Sequence, residues 1–270
     1  MKIGFIGSGN MAQAIIRGMV KNGTDPKSVY ASALGPRRVQ ALANECGINA
    51  VSSNSEIVKN CELIVLAVKP HLIKSVLEEC SHLLDSSRHT LISIAAGLSL
   101  EMLEGFSNVP KIPVIRVMPN VNSAICMGMT AMCKNDFVSS DAYEYTKQAF
   151  EKIGKVAELD EHFFPLFAAL AGSSPAFTYL FIDSLAKCAH KAGLPKEIAT
   201  GIAAQAVLGS AALILESGKH PWELIDSVCS PGGTTIEGIC SLERDGFVSA
   251  IVNCIDTCMA KDKAIMERNQ

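Results

Sequence analysis

Short, uninterrupted apolar runs alternate with longer segments whose apolar positions recur every three or four residues. Lys2–Ile6, Val29–Ser32, Glu62–Val68, Thr90–Ala95 and Pro113–Val117 are the runs, and they read as buried strands. Pro36–Cys46 and Leu72–Leu84 carry apolar residues on one side only and read as helices. A strand without polar alternation is covered on both faces, so the pattern predicts a parallel α/β sheet with helices above and below. After Asp160 the strand-like runs stop and long apolar helices take over, at Pro175–Ala192, Pro195–Glu216 and from Gly246 onward. The expected organisation is a sheet domain over 1–160 and an all-α domain over 161–270.

The second helix of that half contains 18 consecutive uncharged residues, Ile198–Leu215, which reaches the lower limit for a membrane span. Thr200, Gln205 and Ser210 interrupt it, and it is built from alanine and glycine more than leucine, a composition suited to close helix-to-helix contact. No membrane is expected. A helix apolar nearly all round must be covered on every side, and the C-terminal half is too short to do so alone. A second copy of the chain is expected to complete it, making a homodimer at least.

Composition narrows the partners. The chain has 270 residues, 49% of them hydrophobic, and a formal net charge of -3. With a pI near 6.1 and no basic run, it has no electrostatic footprint for nucleic acid. The single lysine and very short apolar run at the N-terminus lack the length of a secretory signal. Ten cysteines are scattered, with no CxxC pair and no histidines at ligand spacing. A reduced cytoplasmic protein without a metal fits this usage, and Cys254 and Cys258, one helical turn apart, read as an apolar stripe.

The first strand runs directly into Gly7-Ser8-Gly9-Asn10-Met11-Ala12 and then a helical pattern. This is GxGxxA in its proper setting: a tight turn, close backbone approach to a pyrophosphate, and a small residue for helix-strand packing. The fold expected is therefore a Rossmann-type doubly wound sheet followed by an all-α dimerisation domain. Two further loops fall at strand ends, Ala67-Val68-Lys69-Pro70 and Ser93-Ile94-Ala95-Ala96-Gly97, where open α/β sheets bind ligands. Ala95, Ala96 and Gly97 are small enough for a flat nicotinamide ring to lie against the main chain. Lys69 is either a charge near that ring or a surface residue. The second strand ends on Ser32 and not on the acid that holds a ribose diol, and Arg37 and Arg38 follow. A serine hydroxyl and guanidinium groups suit a 2'-phosphate, so NADPH is favoured and NADH is left open.

A second glycine turn, Ser230-Pro231-Gly232-Gly233-Thr234-Thr235, precedes a helix-compatible run and can hold a small anion beside two hydroxyls. Gly172-Ser173-Ser174-Pro175 has the same logic, and equally reads as an ordinary serine cap before proline. Neither turn contains a strong general acid, and the six histidines lie outside them. Reduction of a ketone needs a firm acid for the developing alkoxide, whereas an imine nitrogen is basic and can arrive protonated, so a threonine hydroxyl and water suffice. The turns suit an imino acid better than a keto acid.

The segments Gly4–Met11, Ala67–Pro70, Ile94–Gly97, Arg116-Val117-Met118-Pro119-Asn120 and Ser230–Thr235 together resemble the pyrroline-5-carboxylate reductase family, in the family's order and across almost the whole chain. The resemblance implies reduction of 1-pyrroline-5-carboxylate to L-proline with NAD(P)H, the last step of proline biosynthesis, in an interlocked dimer able to build larger rings. It implies that Thr235 hydrogen-bonds the ring nitrogen, that Gly232, Gly233 and Thr234 with Ser174 and Pro175 hold the carboxylate, and that Asn54 touches the adenosine part of the cofactor. The chain departs from the family pattern at Val121-Asn122, in place of Thr-Pro, and at Ala171, Ser174, Phe177 and Cys229. These departures bear on substrate fit. Two other readings stay open on the residues: a reductase for another imino acid or a small 3-hydroxy acid, and a noncatalytic NADPH-binding sensor.

Overall fold

The computed structural model describes residues 1–269. Its chain forms two compact units, one comprising Met1–Gly172 together with the chain end from Met259, the other Ser173–Cys258. The change in sequence character at 160 therefore precedes the break in packing at 172.

The first unit alternates β1 (Ile3–Ile6), α1 (Asn10–Lys21), β2 (Val29–Ser32), α2 (Pro36–Cys46), β3 (Asn49–Ala50), α3 (Asn54–Asn60), β4 (Leu63–Leu66), α4 (Pro70–Cys80), β5 (Thr90–Ser93), α5 (Leu100–Ser107) and β6 (Val114–Met118). It continues with β7 (Gly128–Lys134), α6 (Ser140–Glu151), β8 (Gly154–Glu158) and the short α7 (Phe164–Phe167). The strands make one sheet in the order β3-β2-β1-β4-β5-β6-β7-β8. Alternate residues serve opposite faces: Ile3, Phe5, Leu63 and Val65 enter one core cluster, and Ile6, Ile64 and Leu66 the other. Both faces are thus covered by helices, which is why the central strands β1 and β4 lack polar positions.

The expectation of a parallel sheet needs correction at one edge. β7 runs antiparallel to β6, and β8 is parallel to β7. The link from β6 to β7 contains only a 3-10 turn, Val121–Ile125, whereas a parallel return needs a crossover of about a dozen residues or more. From β7 to β8 the chain has such a crossover in α6, and there the pairing is parallel.

Helix starts show the same economy. Ser53, Ser99 and Ser139 cap α3, α5 and α6 by accepting from the amides of Glu56, Met102 and Ala142. Between β8 and the second unit, Ala168–Ser173 is wound as a π-helix.

The second unit contains α8 (Ser174–Lys191), α9 (Lys196–Ser217), α10 (Pro221–Val228), α11 (Thr234–Arg244) and the first half of α12 (Phe247–Asn269). α8 and α9 pack on one another, and Asp183 accepts from both Lys187 at 2.8 Å and Lys196 at 3.0 Å. Along α9 only Ala199 and Ala203 are buried, while Ile198, Ile202, Leu208, Leu213, Ile214 and Leu215 are exposed. Glu161–Lys191 and Lys196–Ser217 are each long and apolar enough to cross a membrane by length and composition.

Candidate active site

Gly7 closes β1 with φ +106°, and its amide donates to the Ser32 carbonyl at 3.1 Å. A Cβ here would lie 2.6 Å from the Ala67 carbonyl oxygen, so only glycine fits. Ala67 in turn donates its amide to Ile6 at 2.9 Å, and Ile94 to Leu66 at 3.4 Å. These bonds hold Gly7–Met11, Ala67–Pro70 and Ile94–Gly97 at the carboxyl edge of the sheet.

α1 begins at Asn10 with the extended Gly9 as its cap and no side-chain cap bond. Its first amides are left for a ligand, and the helix dipole favours an anionic one. Ser8 is 4% exposed and its hydroxyl has no partner, although Gln13 fixes the neighbouring backbone by donating from Nε2 to the Ser8 carbonyl at 2.8 Å. A buried hydroxyl without an acceptor is costly, and a phosphate oxygen over the uncapped helix satisfies it. The loop fits a dinucleotide pyrophosphate. Met11 is half-buried and Asn10 exposed; Ala95 and Gly97 are buried, and Ala96 and Lys69 lie open to solvent.

Ser32 and Asn54 come together: the serine hydroxyl donates to Asn54 Oδ1 at 2.8 Å, and Asn54 Nδ2 reaches Glu79 Oε2 at 3.3 Å. Spacing alone gives no sign of this pairing, and Glu79 was not legible as its third member. Arg37 is exposed in the first turn of α2, beside a shallow depression formed with Pro36, Gln40, Ala41 and Asn44.

In the second unit the turn before α11 repeats the opening of α1. Gly232 has φ +67°, Gly233 donates its amide to Ser230 at 3.0 Å, and the extended Gly233 caps the helix with no side-chain bond. Thr234 and Thr235 are exposed at the first two helical positions. α8 also starts without a side-chain cap, with half-buried Ser174 and buried Pro175 in its first turn.

Among the described residues no histidine belongs to the glycine turns before α1 and α11 or to the start of α8. His89 is buried against Asp85 and Val58, His190 contacts the Leu194 carbonyl, and His220 caps α10 by accepting from Trp222. Half-buried Cys229 ends α10, its amide bonding to Ile225 and Asp226. One polar residue near the site escaped the sequence reading as more than a motif position. Asn120, 6% exposed, donates from Nδ2 to the Ala171 carbonyl at 3.0 Å and accepts at Oδ1 from the Met129 amide at 3.1 Å.

Comparison with known proteins gives this geometry its context. Residues 161–265 match a family model described as pyrroline-5-carboxylate reductase dimerisation, and residues 2–97 match one described as NADP oxidoreductase, coenzyme F420-dependent. The pyrroline-5-carboxylate reductase of Escherichia coli K12 is 37% identical over 265 residues, covering 98% of each chain. The chain belongs to the pyrroline-5-carboxylate reductase family. Among solved structures, the Coxiella burnetii pyrroline-5-carboxylate reductase superposes with a TM-score of 0.93 at 31% identity, and a Plasmodium falciparum pyrroline carboxylate reductase with NADP bound at 0.87 and 30%, each covering 98% of both chains.

Proposed function

We propose that the chain reduces 1-pyrroline-5-carboxylate to L-proline with NADPH, completing proline biosynthesis. The observation that carries this reading is the turn before α11, where a positive-φ glycine and an uncapped helix start leave free amides beside the hydroxyls of Thr234 and Thr235. A carboxylate suits the amides, and a basic imine nitrogen suits the hydroxyl.

When bound, NADPH supplies a hydride to the imine carbon. Gly7, Ser8, Gly9, Asn10 and Met11 would hold its pyrophosphate through the free amides of α1 and the unpaired Ser8 hydroxyl. Ser32, Asn54 and Arg37 would take the adenosine end, and the guanidinium supports NADPH over NADH. Ala67, Val68, Lys69, Pro70, Ala95, Ala96 and Gly97 would border the nicotinamide. Gly232, Gly233 and Thr234, with Ser174 and Pro175, hold the substrate carboxylate. Thr235 hydrogen-bonds the ring nitrogen, which arrives protonated, takes the electron pair of the C=N bond as the hydride adds to carbon, and gains a second proton from water to leave as the ammonium of proline.

The dimerisation family match and the uncovered apolar residues of α8, α9 and α12 support self-association as a homodimer, with a ring of dimers as the larger form. The same interface accounts for the apolar length of Glu161–Lys191 and Lys196–Ser217 without a membrane. The cytoplasm is the compartment we assign, and several cysteines behave as packed hydrophobes: burial pushes the thiols of Cys61 and Cys133 up to about 12.

Oxidation of NADPH with pyrroline-5-carboxylate, compared between the native protein and Thr235→Ala, tests the reading. Turnover that falls about 100-fold in the variant, with NADPH affinity retained, is the expected result for a group acting on the reacting nitrogen. Undiminished turnover in the variant removes the role of Thr235, and no turnover by the native protein removes the substrate.

A further inference from the structure

We propose that Asn120 is a positioning residue for the imino-acid carboxylate, acting through the π-helical turn ahead of Ser174. The inference rests on the reading above that Ser174 and Pro175 belong to the carboxylate pocket.

Proline at 175 has no amide hydrogen, so the Ala171 carbonyl four residues earlier has no α-helical donor. The chain answers in two ways. Ala168–Ser173 widens into a π-helix, a form that recurs as a short insertion at functional sites, and Asn120 Nδ2 supplies a donor to the Ala171 oxygen at 3.0 Å. The other end of the same amide accepts from the Met129 backbone at 3.1 Å, so the side chain cannot turn over without breaking both bonds. Asn120 also accepts at its carbonyl from Ser123, which pins the residue to the 3-10 turn after β6. At 6% exposure it has little water to replace a lost partner. Asn120 thereby connects the β6 loop and β7 to the Ala171 carbonyl, all three within the first unit, at the turn from which the chain continues into Ser174. Donor and acceptor are both required, which asparagine provides and aspartate does not.

Asn120→Asp keeps the acceptor for the Met129 amide and sets a carboxylate against the Ala171 carbonyl. At neutral pH the KM for pyrroline-5-carboxylate is expected to rise about tenfold, the scale of one lost buried hydrogen bond, with NADPH dissociation constant and kcat little changed. As pH falls and the new carboxyl protonates, its O–H can donate to Ala171, so the KM ratio to the native protein closes toward one. A second variant separates positioning from general damage. In a Pro175→Ala background an amide at 175 can serve Ala171, and the penalty of Asn120→Asp shrinks at least threefold relative to its value in the native background. The proposal is overturned if Asn120→Asp leaves the substrate KM unchanged, raises it together with the NADPH dissociation constant at every pH, or has the same penalty in both backgrounds. Absence of turnover by the native protein overturns instead the substrate reading on which the inference rests.

Discussion

The two units handle apolar sequence in opposite ways. In the sheet unit nearly every large aliphatic side chain is enclosed: Ile15, Ile16, Met19, Val65 and Ile92 are all fully buried within one chain. In Ser173–Cys258 the buried side chains of α8 and α9 are confined to Pro175, Ala186, Ala199 and Ala203, and bulky residues face outward. Both halves are equally apolar in sequence, so hydrophobicity alone does not tell which one is self-sufficient. Layering does, because a sheet with helices on both faces closes its own core, whereas a few helices apolar all round do not.

A charge in α9 should separate the halves most sharply. Ile202→Glu places an unpaired carboxylate on the exposed face of α9 that the proposed homodimer would cover, a cost of several kcal/mol, and specific activity should drop more than about 100-fold. Light scattering should show the mass of a single chain while NADPH still binds. Retention of the dimer by this variant would remove α9 from the interface.

The two glycine turns give a finer test. Gly7 combines φ +106° with the Ala67 carbonyl in the space of its missing side chain, while Gly232 has φ +67° and nothing within 4 Å. Gly7→Ala therefore incurs both conformational strain and a backbone clash, and NADPH affinity should weaken at least about 30-fold. Gly232→Ala incurs the strain alone, about 1 kcal/mol, and should raise the substrate KM about fivefold. Calorimetric titration of NADPH and steady-state kinetics read the two separately, and equal penalties would show that space around Gly7 does not matter.

How far the sequence spoke depends on whether a feature is local. β2 and α2 match the boundaries read from periodicity, because a buried strand and an amphipathic helix announce themselves within their own residues. β7 did not, since Gly128–Lys134 carries Thr130 and Lys134 among small and flexible residues and has neither a clean alternation nor an unbroken apolar run, and its direction depends on the length of the link behind it. The cofactor loop at Gly7 was legible because three residue types in order carry the chemistry. The Ser32–Asn54 bond was not, as it joins positions 22 apart that meet only because β3 pairs beside β2. Asn120 illustrates the limit: its importance comes from a missing hydrogen on Pro175, and no local pattern joins those two positions.

The smallest effect expected concerns His89, which belongs to the self-sufficient unit and titrates with its folding. Its Nδ1 accepts from the Asp85 amide at 2.9 Å, which places the ring hydrogen on Nε2, where it donates to the Val58 carbonyl at 3.0 Å. Burial holds the imidazole below its ordinary value, the Val58 bond opposing. Because the folded pKa is depressed, the unfolded chain takes up the proton first as pH falls. The contribution is thus fully present above an unfolded value of about 6.5 and is lost as pH drops from there toward the folded value. One proton limits the slope to about 1.4 kcal/mol per pH unit. Hydrogen exchange at the β5 amides between pH 7 and 5 should show this loss, and His89→Gln, which keeps a donor for Val58, should flatten it. The sole tryptophan, Trp222, lies in the second unit, so its fluorescence follows that half separately. A slope unchanged by His89→Gln would assign the acid sensitivity of the sheet unit to its carboxylates, led by the Arg17–Glu45 and Lys147–Glu158 pairs.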